Sequence, residues 1–180
     1  LPSAVLSQAG AGLKRPLVEI RTVHGNMIVA LYNETPIHRD KFLKAVEAGT
    51  YDSLLFHRLV PGFVVEGGDP ASKYAQPGTK LGLDTDTEGL PLETAPGLIH
   101  KKGALAAASA GDTPEASGRS HSSRFFIVQG APYDQAELIH VAERNARLGG
   151  GLSYTEEDRR IYSDIGGQPR LDGGYTVFGE

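Results

Sequence analysis

Short apolar runs that alternate with period two, each closed by turn-forming residues, set the tightest limit on how this chain can fold. Leu17-Val18-Glu19-Ile20-Arg21-Thr22-Val23 alternates in this way up to His24-Gly25-Asn26, and Met27-Ile28-Val29-Ala30-Leu31-Tyr32 then resumes. Two such runs about a tight turn predict an N-terminal hairpin. Residues 54–60 and 63–69 are further strand candidates, broken by Pro61-Gly62. Residues 104–109 and 125–129 predict buried strands on either side of a Gly/Ser-rich loop at 111–123, and 175–178 predicts the last strand. Residues 70–97 carry no clean periodicity and many turn formers, so they predict a long surface loop.

Helical signals are few and local. Thr35-Pro36 pairs an N-cap residue with proline at the first helical position, where its missing N–H costs nothing. A helix should run from there to about Ala48, stopped by Gly49, with Ile37, Phe42, Leu43 and Val46 on its buried stripe. Late in the chain, Asp134-Gln135-Ala136-Glu137 and Thr155-Glu156-Glu157-Asp158 both have capping-box form. The first predicts a helix through Leu138, Val141, Ala142 and Asn145, stopped by Gly149-Gly150-Gly151. The second predicts a shorter helix through Ile161, Tyr162 and Ile165, stopped by Gly166-Gly167. The plan is a strand-rich body with one early helix and a helical hairpin inserted at about 131–169.

A chain of 180 residues suits one domain, and 39% hydrophobic with 22% charged residues is near the globular average. The net charge of −4 argues against a general nucleic-acid binder. Cysteine is absent, which removes disulfides, thiolate nucleophiles and cysteine-ligated zinc together. The six histidines show no ligand spacing, so no zinc or other metal site is expected. No apolar run approaches the roughly 20 residues that span a bilayer. Residues 1–15 are rich in Ala, Gly and Ser without periodicity and read as a flexible tail, leaving 16–180 as the folded domain. Signal-peptide cleavage or a cloning boundary would each leave such a tail, and a cell envelope or periplasm is favoured over the cytoplasm.

Most short motifs fail. There is no Gly-x-Ser-x-Gly elbow, Walker A loop or His-Glu-x-x-His. Asp84 to Gly89 resembles half a calcium loop, but position twelve is Ala95, so a solvated acidic turn is expected. Ser120, His121 and Ser122 are neighbours in sequence, which is not triad geometry, and they read as part of a polar loop. Alternation places Phe56, Arg58 and Val60 on one face of their strand. That leaves two readings of Arg58: a surface salt bridge whose stem covers apolar area, or a guanidinium held beside an apolar pocket.

Four blocks narrow the choice: F-H-R-x-x-P-G-F-x-x-x-G-G-D at 56–69, G-x-L-x-x-A-x-A-G at 103–111, S-x-F-F-I at 123–127 and L-D-G-x-x-x-V-F-G at 171–179. In this order they resemble the cyclophilin family, over a stretch from about Leu17 to the C-terminus. The resemblance implies a mainly β fold, a closed antiparallel β-barrel with a capping helix, here with an inserted helical hairpin. It also implies a peptidyl-prolyl cis/trans isomerase that assists folding and requires no cofactor, whose partners are proline-containing peptides and unfolded or folding proteins. By that resemblance the catalytic arginine falls on Arg58 and the proline-ring pocket on Phe63, Val64, Phe126 and Leu171. Ala108-Ser109 matches the strand segment that pairs with the residue before proline.

Several groove positions depart from the family pattern. Glu66 and Arg124 stand where glutamine is usual, which suggests an ion pair in place of an amide pair, and Ser109 stands where asparagine is common. Arg170 replaces a frequent tryptophan, so weak or no cyclosporin binding is expected. Tyr175 replaces a frequent histidine and can still flank the pocket. The insertion at 131–169 enters directly before Leu171, and either shapes access to the groove or decorates the surface. The chain stops just after V-F-G, where family members continue through another helix and strand, so the barrel is expected to be truncated or closed otherwise. A non-catalytic proline-peptide binding module or chaperone could use the same groove.

Overall fold

The computed structural model describes residues 3–6, 14–111, 113, 116, 118–147 and 153–180. β1 (Ser3–Leu6), β2 (Leu17–Thr22) and β3 (Gly25–Ala30) form an antiparallel sheet in that order. The hairpin register sets Val18 opposite Val29 and Ile20 opposite Met27. Val18, Ile20 and Val29 are buried in the core, as the alternation requires. β1 corrects the expectation of a flexible tail for its four residues, which satisfy the open edge of β2. Residues 1, 2 and 7–13 of that expected tail lie outside the described residues.

The second sheet contains β4 (Arg58–Val60), β5 (Val64–Gly67), β6 (Leu90–Pro91), β7 (Leu105–Ser109), β8 (Arg119–Val128) and β9 (Val177–Gly179). Its order is β4-β5-β8-β7-β9, with β6 also paired to β8 and every pairing antiparallel. The two sheets meet at a seam. There Leu31 bridges Gly179, Tyr32 N donates to Phe178 O at 2.8 Å, and Ala30 N donates to Glu180 O at 2.8 Å. Among the described residues no second seam of hydrogen bonds completes a ring. The body is mainly β and antiparallel, joined along one line.

The central strand β8 starts at Arg119, well inside the stretch expected to be a loop. Ser120 and His121 are therefore buried strand residues, a correction to the polar-loop reading. Polar residues can hold a buried strand here because each finds a partner. His121 Nε2 lies 3.0 Å from Asp84 Oδ2, and Ser122 N donates to Asp86 Oδ2 at 2.8 Å. Further along β8 the strand period separates two rings. Phe125 enters the core beside Phe42, Tyr51 and Phe178, while Phe126 packs on the opposite side with Val64, Ala106 and Val177. Burying each ring contributes about 1.5–3 kcal/mol.

Helix α1 (Pro36–Glu47) starts behind Thr35 with proline in its first turn. Thr35 makes no side-chain cap. The Glu93 carboxylate instead accepts from Ile37 N at 3.1 Å and His38 N at 2.9 Å, from a loop distant in sequence. The buried stripe is His38, Phe42 and Val46; Ile37 is exposed and Leu43 half-buried. His38 displaces Ile37 because its Nδ1 sits 2.6 Å from the same Glu93, which gives one nitrogen of the buried ring a partner.

The insertion forms α2 (Gln135–Arg147) and α3 (Glu156–Asp164). Both capping boxes are realised: Glu137 N donates to Asp134 Oδ1 at 2.8 Å, and Asp158 N to Thr155 Oγ1 at 3.1 Å. The glycine stop at 149–151 lies outside the described residues. Leu138, Tyr154 and Tyr162 bury against Ile99 of the body, whereas Ile165, at the C-terminal cap of α3, is half exposed. No described helix is long and apolar enough to cross a membrane.

Candidate active site

One cavity of about 450 Å³ opens beside β4 and β5. It gathers all ten residues singled out from sequence: Arg58, Phe63, Val64, Glu66, Ala108, Ser109, Arg124, Phe126, Leu171 and Tyr175. They come from four places in the chain, brought together because β8 lies between β5 and β7 in the sheet. Register explains the adjacency: Arg58 pairs with Glu66, Glu66 with Phe126, and Ala106 with Phe126. The β4–β5 turn reverses at Gly62, whose φ of +71° favours glycine, and delivers Phe63 to the cavity wall.

The cavity has an apolar side. Phe126 and Tyr175 meet edge to face with centroids 5.7 Å apart, and Phe63, Val64 and Leu171 complete the wall.

The other side is charged. Glu66 lies between two guanidinium groups, with Oε2 3.2 Å from Arg58 Nη1 and Oε1 3.7 Å from Arg124 Nη1. The Glu66–Arg124 ion pair expected from sequence is present, but Arg58 is the closer partner. Arg124 spends its donors on backbone carbonyls, with Nη1 to Gly82 O at 2.8 Å and Nη2 to Asp84 O at 2.9 Å. It therefore pins the 82–84 segment over the cavity. The arginine side chains differ in burial: Arg124 is 8% exposed and Arg58 51%. Arg124 is a fixed structural tie, whereas Arg58, held by Glu66 at 3.2 Å, stays half exposed at the cavity rim.

Four lining residues carry no assignment from sequence: His57, Leu81, Gly82 and Leu83. His57 sits in the first sequence block, directly before β4, and lines the cavity together with Arg58. Its ring is buried, with both nitrogens lacking hydrogen-bond partners and Nε2 3.8 Å from Glu66 Oε1. At Gly82 a Cβ would lie 2.8 Å from His57 Nε2, and φ is +72°, so the close approach needs glycine. The 81–83 segment lies in an aperiodic loop, and no local pattern marks it. Among the described residues no cluster of three or more His, Cys, Asp or Glu could hold a metal ion.

The triad-like neighbours do not form nucleophile geometry. His121 Nδ1 accepts from Ser123 N and Arg124 N, both at 3.1 Å, so this nitrogen serves the backbone. The half-calcium loop likewise folds onto β8. Asp86 accepts from Gly89 N at 2.9 Å as well as from Ser122 N, so it is a fastening point rather than a freely solvated acid.

Known proteins give an independent view. A family model described as cyclophilin type peptidyl-prolyl cis-trans isomerase/CLD matches residues 17–180. A Streptococcus pyogenes protein, provisionally named a bifunctional phosphatase/peptidyl-prolyl cis-trans isomerase, is 37% identical over 92% of this chain and 31% of its own length. The chain thus spans under a third of that relative. A Staphylococcus aureus protein provisionally named a peptidyl-prolyl cis-trans isomerase is 32% identical, over 91% of this chain and 74% of its own. Among solved structures, a Cryptosporidium parvum cyclophilin determined in the presence of the dipeptide Ala-Pro superposes with a TM-score of 0.53 at 23% identity. That match covers 91% of this chain and 77% of the other. Cyclophilin AquaCyp293 from Hirschia baltica gives 0.51 at 18% identity, over 91% and 62% of the two chains. Sequence blocks, antiparallel architecture and family match agree: this chain belongs to the cyclophilin-type peptidyl-prolyl cis-trans isomerases.

Proposed function

We propose that this chain accelerates rotation about X–Pro bonds of protein segments seated in the cavity, with Arg58 as the catalytic residue. The observation that carries the reading is a half-exposed guanidinium on the rim of an apolar slot. Rotation of an X–Pro bond faces a barrier of about 18–20 kcal/mol, set by amide resonance. At the twisted transition state that resonance is lost, and the proline nitrogen turns pyramidal with a free lone pair. A guanidinium aimed at the lone pair binds this state better than either planar one. Phe63, Val64, Phe126, Leu171 and Tyr175 would hold the ring while the acyl side turns. Ala108 and Ser109, at the end of β7, would pair with the residue before proline. Glu66 and Arg124 would set the charge and the roof of the groove. No proton transfer or covalent intermediate is needed.

The substrates proposed are proline-containing segments of unfolded or folding proteins, in line with the Ala-Pro dipeptide of the Cryptosporidium protein. The reading treats the two sheets as one barrel, supported by the seam at Leu31 and Gly179. Arg170 is exposed beside Leu171, which supports weak binding of cyclosporin. A second reading, a proline-peptide binding module without useful turnover, is favoured by the 3.2 Å contact of Glu66 with Arg58, since a paired guanidinium stabilises less developing charge. NMR exchange of an Ala-Pro peptide, with wild type and Arg58→Ala side by side, separates the two. Acceleration that collapses in the variant supports isomerisation; binding without acceleration in the folded wild type supports the module.

A further inference from the structure

Behind the apolar wall lies a buried polar network that joins the inserted helices to the cavity. Asp172 directly follows Leu171, and its side chain is wholly buried. Its Oδ1 accepts from His100 N at 2.8 Å and lies 2.7 Å from His100 Nδ1. Its Oδ2 accepts from Tyr154 OH at 2.7 Å and Tyr162 OH at 2.5 Å. A carboxylate only accepts, so His100 Nδ1 carries the proton towards it. Burial and, next, the Asp172 charge push the Tyr162 hydroxyl far above its ordinary pKa, which keeps it a donor. Tyr154 OH also lies 2.9 Å from Pro169 O, and Asn145 Nδ2 donates to that carbonyl at 2.9 Å.

The same network reaches the cavity wall. The His100 ring stacks on Phe126 at 17° with centroids 6.0 Å apart, and meets Tyr175 edge-on at 6.3 Å. The Pro169–Leu171 turn, held by Tyr154 and Asn145, carries Leu171 into the wall. Gln168 Nε2 donates to Gly62 O at 2.8 Å, just before Phe63. Four of the wall residues thus rest on groups that the insertion fixes or adjoins. A surface decoration would have no such contacts.

Resting on the proposed isomerase reading, we infer that the insertion sets the shape of the proline slot, with Tyr154 and Tyr162 as positioning residues acting through Asp172 on Leu171 and, by way of His100, on Phe126 and Tyr175. The two hydroxyls fix the rotamer of a carboxylate that holds both the Leu171 turn and the His100 ring. Removing them leaves Asp172 buried with unmet acceptor capacity, and it would turn towards other donors. The slot holds the ring equally in the planar and twisted states, so a misshapen slot loses uniform binding, which raises KM at constant kcat.

The test is Tyr154→Phe/Tyr162→Phe, which keeps both rings and removes only the hydroxyls, assayed with an Ala-Pro peptide by NMR exchange. The expected result is a KM roughly fivefold higher with kcat within about twofold of wild type. An unchanged KM in the folded variant, or a fall in kcat alone, overturns the inference, even if the melting temperature drops. Should the double variant not fold, Tyr154→Phe is judged on the same criteria with a rise of roughly twofold. A wild type that binds without accelerating overturns the isomerase reading alone, and the inference is then decided by whether the peptide Kd rises in the variant. A wild type that neither accelerates nor binds overturns both.

Discussion

On one flank of the cavity, Arg58, Glu66 and Arg124 present alternating charge, and Arg58 reaches half into solvent; on the other, Phe126, Leu171 and Tyr175 stand on a buried network of His100, Asp172, Tyr154 and Tyr162. The charged flank is assembled from neighbouring strands by simple register. The apolar flank takes its support from the insertion that lies between Phe126 and Leu171 in the chain. The contrast separates two tasks. Charge that acts on a short-lived twisted amide must be reachable by the substrate and can be weakly held. Shape that grips a ring must be rigid, and buried polar groups tied to one another by hydrogen bonds supply rigidity.

The largest expected effect falls on the apolar flank. Asp172→Ala strands the donors of His100, Tyr154 and Tyr162 in a buried site, and breaking such a network by removing its charge costs about 3–5 kcal/mol. Urea unfolding of the two proteins measures this directly; a loss below 1 kcal/mol would mean that the network is not the support of the wall. Next comes Arg58→Ala on the charged flank. By analogy with removal of a single transition-state hydrogen-bond donor, kcat should fall about 10²–10³-fold, while unfolding stability stays nearly constant because the side chain is half exposed. Together the two variants would dissociate stability from turnover, one flank each. A stability loss at Arg58 matching that at Asp172 would erase the distinction.

Much of this site is legible in the sequence, and what is hidden has a physical reason. The F-H-R-x-x-P-G-F block encodes strand, turn and strand within a few residues; alternation alone leaves Arg58 with two readings, and it is the resemblance of the four blocks that assigns Arg58, Phe63 and Glu66 to the groove. The serine-rich start of β8 could not be placed from its pattern, because Ser120, His121 and Ser122 look like loop residues until Asp84 and Asp86 are brought against them by the intervening chain. The Glu93 cap of α1 is hidden for the same cause, since its partners lie far away in sequence. The helices of the insertion announce themselves by their capping boxes. Their destination does not: nothing in a local pattern says that Tyr154 and Tyr162 meet Asp172. Short-range chemistry is visible in one dimension, and long-range hydrogen bonds are not.

A smaller effect is expected where the charged flank is fastened to β8. Burial raises the Asp86 carboxyl, but hydrogen bonds from Ser122 and Gly89 and the nearby His121 outweigh it and bring the pKa down to about 2. A folded pKa below the ordinary value contributes stability above about pH 4, and that contribution fades as the pH falls towards about 2. Asp86→Asn should therefore lose about 1 kcal/mol at neutral pH, after allowing for solvent screening, and the gap to wild type should narrow between about pH 4 and pH 2. Unfolding curves across that range would show it; a gap independent of pH would assign the loss to packing.

The finest test concerns the charge balance itself. Glu66 holds Arg58 at 3.2 Å, which orients the guanidinium but also opposes its field. In Glu66→Gln the amide oxygen can still accept from Arg58, so orientation is kept while the negative charge is removed. Arg124 would not swing into the cavity, because Asp84 and the Gly82, Asp84 and Ser109 carbonyls continue to hold it. The field on the proline nitrogen then grows, and kcat should rise about two- to fivefold, an effect on the scale of one partly screened charge. KM should stay level, since the apolar wall is untouched. A fall in kcat would instead mean that Glu66 serves Arg58 mainly as an anchor that an amide cannot replace. The charged flank would then need rigidity as much as the apolar one does.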